Sequence, residues 1–133
     1  MKTIIKNAKI VNEGNISKSD ILINGDLIEE IGQNILARGE EKIIDAKGCF
    51  LIPGIIDDQV HFREPGFTHK GTIYSESKAA VSGGITSYFE MPNTIPHTTT
   101  ISELKNKFEI AAKNSFSNYS FMFGGTNNNF GEI

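Results

Sequence analysis

The first fifty residues alternate apolar and polar side chains over short stretches, a pattern that is typical of half-buried β-strands. Residues 2–11 form the first such stretch, and residues 40–44 form a shorter one further along the chain. Between them, the runs 21–23 and 26–28 flank the pair Asn24-Gly25, which tolerates the positive φ angles of a type I′ hairpin turn. This segment is therefore predicted to be a small β-module without catalytic chemistry.

From residue 52 onward, the pattern changes to short apolar runs that alternate with helical stretches. The run 52–56 is bounded by turn residues and predicts a buried strand, and residues 85–91 and 119–123 predict two further strands. Residues 72–81 have helical spacing and are followed by Gly83-Gly84, which predicts a helix that stops there. The order strand, helix, strand, helix, strand indicates an α/β fold with parallel pairing and right-handed crossovers.

A second helix is predicted after Thr100, which forms a capping-box pattern with Glu103. Five apolar residues share one face of this helix: Ile101, Leu104, Phe108, Ala111 and Ala112. Glu103 and Lys107 are spaced four residues apart, as are Glu109 and Lys113, which favours ion pairs on the solvent-facing side. We therefore expect the apolar stripe to pack on the sheet and Lys107 to lie in solvent.

Polar side chains follow the first strand of the α/β segment. Because strand side chains alternate between faces, Asp57, Gln59, His61 and Arg63 are predicted to share one face, opposite Asp58, Val60 and Phe62. A carboxylate, an amide, an imidazole and a guanidinium on one face need a metal ion, a charged ligand or water. Functional groups at the carboxyl end of a buried strand are the usual active-site layout of α/β barrels.

Composition and charge exclude several classes of protein. The chain has 133 residues, a net charge of −3 and 38% hydrophobic residues, which suits one soluble globular unit or part of a larger one. It is not basic enough to indicate nucleic-acid binding, and no apolar run approaches the roughly 20 residues of a membrane span. The single cysteine, Cys49, is predicted to be a small core residue, and it fits a reducing cytoplasm.

Two blocks of sequence resemble a known family. Residues 57–66 read Asp-Asp-Gln-Val-His-Phe-Arg-Glu-Pro-Gly after a Pro-Gly-Ile-Ile strand, and residues 90–94 read Glu-Met-Pro-Asn-Thr. Both resemble the dihydroorotases of the amidohydrolase superfamily, except that Gln59 stands where the family has the first histidine of a His-x-His pair. The resemblance covers nearly the whole chain. It implies an α/β fold that is the start of a (β/α)8 TIM-type barrel preceded by a small β-sandwich segment.

The resemblance also implies how the chain is divided. Residues 1–52 would be the N-terminal part of the β-sandwich domain, and residues 53–133 would be the first β/α units of a metal-dependent hydrolase barrel. A complete barrel takes about 250 residues, so we expect the chain to be the N-terminal part of a longer protein. In the family, the sandwich is completed by the C-terminal tail, without which its strands would keep an exposed edge and an uncovered face.

The activity that the resemblance implies is the reversible cyclisation of N-carbamoyl-L-aspartate to dihydroorotate in cytoplasmic pyrimidine biosynthesis. It implies one or two Zn²⁺ per subunit, a small-molecule substrate and a homo-oligomer, with neither nucleic acid nor membrane as a partner. The family's carboxylated lysine, further histidines and catalytic aspartate are expected beyond Ile133. No catalytic residue is expected in this segment, which alone should be inactive.

The resemblance assigns roles to particular residues, each with a simpler alternative. His61 would be a metal ligand, or else a lone histidine that is hydrogen-bonded at a strand end. Arg63 and Asn93 would bind the substrate's carboxylate. The simpler alternatives are a surface salt bridge of Arg63 with Glu64, and a turn or helix-cap role for Asn93. Asp57 would orient a metal-bound group, or else bond backbone amides in a turn.

Gln59 leaves three readings open, because a neutral amide is a poor zinc ligand. The metal site is kept with fewer protein ligands and water, or Asp57 compensates for the missing donor, or the protein binds without catalysis. Two alternative functions follow. One is a related cyclic amidohydrolase, such as a hydantoinase or allantoinase, and the other is a non-catalytic dihydroorotase-like subunit.

Overall fold

The computed structural model describes all residues from Met1 to Ile133, which form two units, Met1–Pro53 and Gly54–Ile133. The first unit is a five-stranded sheet, and its strands are β1 Lys2–Asn12, β2 Asn15–Asn24, β3 Leu27–Gly32, β4 Lys42–Asp45 and β5 Phe50–Leu51. The order is β3-β2-β1-β4, and β5 also pairs with β1. Neighbours β1, β2 and β3 pair antiparallel, whereas β4 and β5 run parallel to β1. The predicted β-module is thus confirmed.

The hairpin between β2 and β3 is confirmed, but its turn differs from the prediction. Asn24 pairs with Leu27, so Asn24 ends the strand and the two central turn residues are Gly25 and Asp26. Only Gly25 has a positive φ, at 59°, whereas a type I′ turn has positive φ at both central positions. The single positive angle at the first position is that of a type II′ turn.

The core of the first unit is small and its apolar surface is large. Two clusters of buried side chains hold it together: Ile4, Leu22 and Ile35, and Ala8, Ile10 and Ile21. Several large apolar side chains are more than half exposed: Leu27, Ile28, Ile31, Leu36, Ile43 and Phe50. Cys49 is also exposed, so its predicted core position is wrong. It lies in a tight surface turn, where its amide donates to the carbonyl of Ala46 at 2.8 Å.

The second unit is a three-stranded parallel sheet with two α-helices. Its elements are β6 Ile55–Val60, α1 Ile73–Ser82, β7 Ile85–Glu90, α2 Ile101–Asn114, β8 Asn118–Phe121 and a final 3-10 turn, Phe130–Glu132. The strands lie in the order β6-β7-β8, which confirms the predicted alternation of strands and helices. Neither α-helix is long and apolar enough to cross a membrane.

Side-chain caps begin both helices. Thr72 and Ser75 form a reciprocal capping box at α1. At α2, the Thr100 hydroxyl accepts the Glu103 amide, as predicted, but the Glu103 carboxylate makes no return bond to the Thr100 amide. The amide of Ile101 donates to the carboxylate of Glu132. The predicted box at α2 is therefore only half formed.

The core of the second unit lies between the sheet and the helices. Its buried members are Val60, Phe62, Ile73, Tyr88, Ala111 and Phe121. The prediction of a buried first strand is wrong for its first two residues, because β6 is an edge strand and Ile55 and Ile56 are 45% and 63% exposed. The buried face of α2 is also rotated from the predicted stripe, since Ile101 and Phe108 are partly exposed whereas Lys107 is fully buried.

Candidate functional site

The end of β6 departs from regular alternation. Asp57 pairs with Tyr88 and Val60 with Glu90, so three steps along β6 match two steps along β7. This extra residue is a β-bulge, and it breaks the predicted alignment of four polar side chains on one face. Within the bulge, the half-buried carboxylate of Asp57 accepts the amide of Gln59 at 3.1 Å. Asp57 thus makes the backbone bond that was the simpler alternative for it, and the side chain of Gln59 is exposed.

His61 and Asn93 come together at the carboxyl ends of β6 and β7. The Nδ1 atom of His61 lies 3.0 Å from the Oδ1 atom of Asn93. Because an amide oxygen only accepts hydrogen bonds, Nδ1 carries the imidazole proton and the lone pair of Nε2 is left for another partner. The Nδ2 group of Asn93 keeps its two donors for a ligand.

Arg63 is held by its backbone, and its side chain is left without an ion-pair partner. It has a left-handed φ of 74°, which is uncommon for a residue other than glycine. Its amide donates to Oε1 of Glu90 at 3.2 Å, and its carbonyl accepts the amide of Phe67 at 2.9 Å. The alternative of a salt bridge with Glu64 is wrong, because the Glu64 carboxylate accepts the amide of Ile73 at 2.7 Å.

The two loops that carry Arg63 and Asn93 contact one another directly. The amide of Ile95 donates to the carbonyl of Pro65 at 3.1 Å. Gly66, at a φ of 93°, packs so closely on Ile95 that an added Cβ atom would overlap the carbonyl oxygen of Ile95. The Glu-Pro-Gly turn and the Met-Pro-Asn-Thr loop therefore form one continuous surface at this edge of the sheet.

A buried ion pair, which the sequence pattern did not predict, lies beneath this surface. Nζ of Lys107 lies 2.7 Å from Oε2 of Glu90, and both side chains are 1% exposed. Burial raises the pKa of the Glu90 carboxyl and lowers the pKa of the Lys107 ammonium, because each charge has lost its hydration. The predicted solvent-facing pair of Lys107 with Glu103 is wrong. A signal was available, since Lys107 has helical spacing from Leu104 and Ala111, which pack on the core.

The metal-binding capacity of these residues is limited. The chain brings no three His, Cys, Asp or Glu side chains close enough to hold a metal ion. His61 offers one imidazole nitrogen, Gln59 offers a weak amide donor, and one Asp57 oxygen is bonded to an amide. His69 and His97 are exposed loop residues. These residues therefore fit Zn²⁺ as part of a ligand set, and His61 is the strong donor among them.

A family model and the curated relatives of this chain agree on one family. The family model described as Dihydro-orotase-like matches residues 48–122, which is more than half of the chain. The chain is 49% identical to the dihydroorotase of Carboxydothermus hydrogenoformans over 98 residues, which cover 72% of this chain and 23% of that protein. It is 39% identical to the dihydroorotase of Methanosarcina mazei over 124 residues, which cover 93% of this chain and 27% of that protein.

Among solved structures, the chain is similar to the L-hydantoinase (dihydropyrimidinase) of Arthrobacter aurescens, with a TM-score of 0.92 and 31% identity. That match covers 98% of this chain and 29% of the hydantoinase. The chain therefore spans about a quarter of the length of the curated relatives described above and somewhat more of the hydantoinase.

Proposed function

This chain belongs to the dihydroorotase-like family, and on that premise we propose that the full-length protein is a dihydroorotase. The proposed reaction is the reversible hydrolysis of the dihydroorotate ring amide to N-carbamoyl-L-aspartate in cytoplasmic pyrimidine biosynthesis. The proposed fold is a (β/α)8 barrel, of which Gly54–Ile133 is the opening part, after a β-sandwich segment. The three parallel strands and the match to a hydantoinase structure support this fold.

One observation carries the proposal: at the carboxyl ends of β6 and β7, the imidazole of His61 is bonded to the amide of Asn93, and the adjoining loop carries Arg63, whose guanidinium makes no ion pair. Arg63 would bind the substrate's carboxylate through its bidentate fork, and Asn93 would donate to the same group through Nδ2. Both side chains stand on loops that contact one another, so the substrate would be held in one orientation. The absence of an ion-pair partner for Arg63 supports this role.

His61 would hold a Zn²⁺ ion through Nε2, with one or two such ions per subunit. Its bond to Asn93 fixes the ring and the tautomer that this role requires. When bound, Zn²⁺ supplies Lewis acidity toward the ring carbonyl. Gln59 adds at most a weak donor, so the other strong donors would come from outside these 133 residues. The full-length protein is further proposed to be a homo-oligomer with a small-molecule substrate.

Two other functions have a specific observation in their favour. The similarity to solved hydantoinases favours a related cyclic amidohydrolase, for which hydantoin or allantoin would be the substrate. Gln59 favours a non-catalytic dihydroorotase-like subunit, because a weak donor replaces a strong one. The dihydroorotase matches and the Arg63 and Asn93 positions favour the first proposal over both.

The test is to assay the full-length protein, purified with zinc, on dihydroorotate, hydantoin and allantoin in parallel. We expect turnover of dihydroorotate at a kcat/KM far above that of the other two, with zinc in the purified protein. The companion variant is Arg63→Met, which keeps an unbranched apolar stem and removes the charged guanidinium. Preference for an uncharged ring, or no turnover by a zinc-loaded protein, would refute the proposal.

A further inference from the structure

We propose that Glu90 and Lys107 are positioning residues, which together fasten Arg63 and Asn93 in the relative arrangement that binds the substrate's carboxylate. The inference rests on the proposed function for the identity of the ligand. Its basis is that Glu90 bonds to the backbone of the segment that carries Arg63, and Lys107 bonds to the backbone of the segment that carries Asn93. Neither residue faces the strand-end surface itself, since each is 1% exposed.

Glu90 fastens the Arg63 side of the site. Its Oε1 atom accepts the Arg63 amide at 3.2 Å, at a residue whose φ of 74° lies in the left-handed region. A non-glycine residue needs compensating contacts to stay in that region. The carboxylate provides one of these contacts, because it accepts the amide that the left-handed conformation turns inward. The direction in which the Arg63 side chain leaves the backbone thus depends on Glu90.

Lys107 fastens the Asn93 side of the site. Its Nζ atom donates to the carbonyl of Met91 at 3.1 Å, two residues before Asn93. The same ammonium lies 4.9 Å from the centre of the Phe121 ring at the end of β8. A single cation on α2 therefore contacts the ends of β7 and β8, while its partner Glu90 contacts the segment that follows β6.

The contacts of Glu90 require both oxygens of its carboxylate. One oxygen accepts the Arg63 amide and the other pairs with Lys107, so an amide side chain at position 90 has one acceptor for two donors. Stability alone is a poor explanation of the pair, because replacing a buried ion pair by well-packed apolar residues is often neutral or stabilising. A positioning role explains why polar groups occupy this otherwise apolar core.

The experiment uses the full-length protein and two variants of the pair, Glu90→Gln and the double variant Glu90→Leu with Lys107→Met. The double variant removes both charges and leaves an apolar core, so it separates positioning from stability. Ser77→Ala is the matched control, because Ser77 is fully buried in the same unit and accepts the amide of Phe116, away from Arg63. Two experiments are made: hydrogen exchange of the Arg63 amide, and steady-state kinetics on dihydroorotate, which give kcat and KM.

In the double variant, we expect the Arg63 amide to exchange about tenfold faster than in Ser77→Ala, since it has lost its acceptor. In Glu90→Gln, we expect exchange faster than in Ser77→Ala, because one oxygen is left for two donors. In both pair variants, we also expect KM to rise about tenfold with kcat changed by less than about threefold, which is the signature of lost substrate binding. Wild-type exchange and KM in the double variant would overturn the inference, because the pair would then be purely structural. A wild-type protein without turnover would refute the proposed function instead, and the exchange measurement would still decide the positioning role.

Discussion

The Nδ1 atom of His61 lies 3.0 Å from the Oδ1 atom of Asn93, so a side chain that follows β6 is bonded to one that follows β7. This bond joins the residue proposed to hold zinc to a residue proposed to hold the substrate. Asn93 thereby has two separable roles, since its oxygen orients the imidazole while its nitrogen is left for a carboxylate.

The two roles of Asn93 are separable by substitution in the full-length protein. Asn93→Asp keeps an acceptor for Nδ1 of His61 but places a negative charge beside the substrate's carboxylate. We therefore expect wild-type zinc retention against a chelator, together with a KM raised more than about tenfold by like-charge repulsion. Asn93→Leu removes both groups, and we expect zinc affinity to fall by about 10- to 100-fold as well. Equal zinc retention in the two variants would contradict the orienting role.

Arg63→Lys tests the bidentate contact. A lysine keeps the positive charge but is a point charge without the planar fork, so KM for dihydroorotate should rise sharply, by about tenfold or more. The measurement is steady-state kinetics of the full-length protein. An unchanged KM would exclude Arg63 as the carboxylate clamp. Lys70→Arg is a suitable control, because Lys70 is exposed on the following loop and makes no ion pair.

Gly66→Ala tests the contact between the two loops. Alanine would be strained at a φ of 93°, and its Cβ atom would overlap Ile95. We expect the free energy of unfolding to fall by about 2 to 3 kcal/mol, from the positive φ and from overpacking. Gly39→Ala is the control, because no atom lies within 4 Å of the added Cβ atom there. Denaturant unfolding of both variants provides the comparison, and equal stabilities would show that the loops do not need this close approach.

The order of elements was predictable because it depends on local periodicity. The strands at β6, β7 and β8 and the helix at α1 follow from runs of apolar residues and turn residues within ten positions of one another. The placement of His61 and Asn93 at one edge followed from parallel pairing, which brings successive strand ends together.

The features that escaped prediction depend on partners distant in sequence or on backbone geometry. Lys107 resembled a solvent-facing residue because its partner, Glu90, lies on another element. The bulge between Asp57 and Val60 leaves no mark in the apolar pattern, so the alternation of faces was predicted as regular. Type I′ geometry was assigned to the Asn-Gly pair, whereas two successive positive φ angles occur at Glu13 and Gly14.

Gln59→His tests whether the altered metal site is limited by its weak donor. An imidazole is a stronger zinc ligand than an amide, and position 59 is two residues from His61. We expect the full-length variant to retain zinc at chelator concentrations that strip the wild type. Asp58→His, on an exposed neighbouring side chain, is the control and should leave zinc retention unchanged. Equal retention in the wild type and in Gln59→His would mean that position 59 is not a zinc ligand.

The buried phenol of Tyr88 should make the free energy of unfolding depend on pH in the alkaline range. Burial raises the pKa of its phenol to about 12 from an ordinary value of 10, while its hydroxyl donates to Ser115 at 3.2 Å. Because the folded pKa is the higher one, the folded state keeps a proton that the unfolded chain releases above about pH 10. The protonated phenol therefore stabilises the folded state by roughly 2 kcal/mol below about pH 10. This stabilisation is lost as the pH rises through about 12.

The measurement is the free energy of unfolding of the wild type and of Tyr88→Phe, compared at about pH 9 and about pH 12. The wild type should lose about 2 kcal/mol more than the variant over this interval, because phenylalanine has no proton to release. Between about pH 7 and pH 9, the two proteins should show the same pH dependence, since the phenol is protonated in both states there. Identical curves up to about pH 12 would mean that Tyr88 is reached by water and lies outside a dry core.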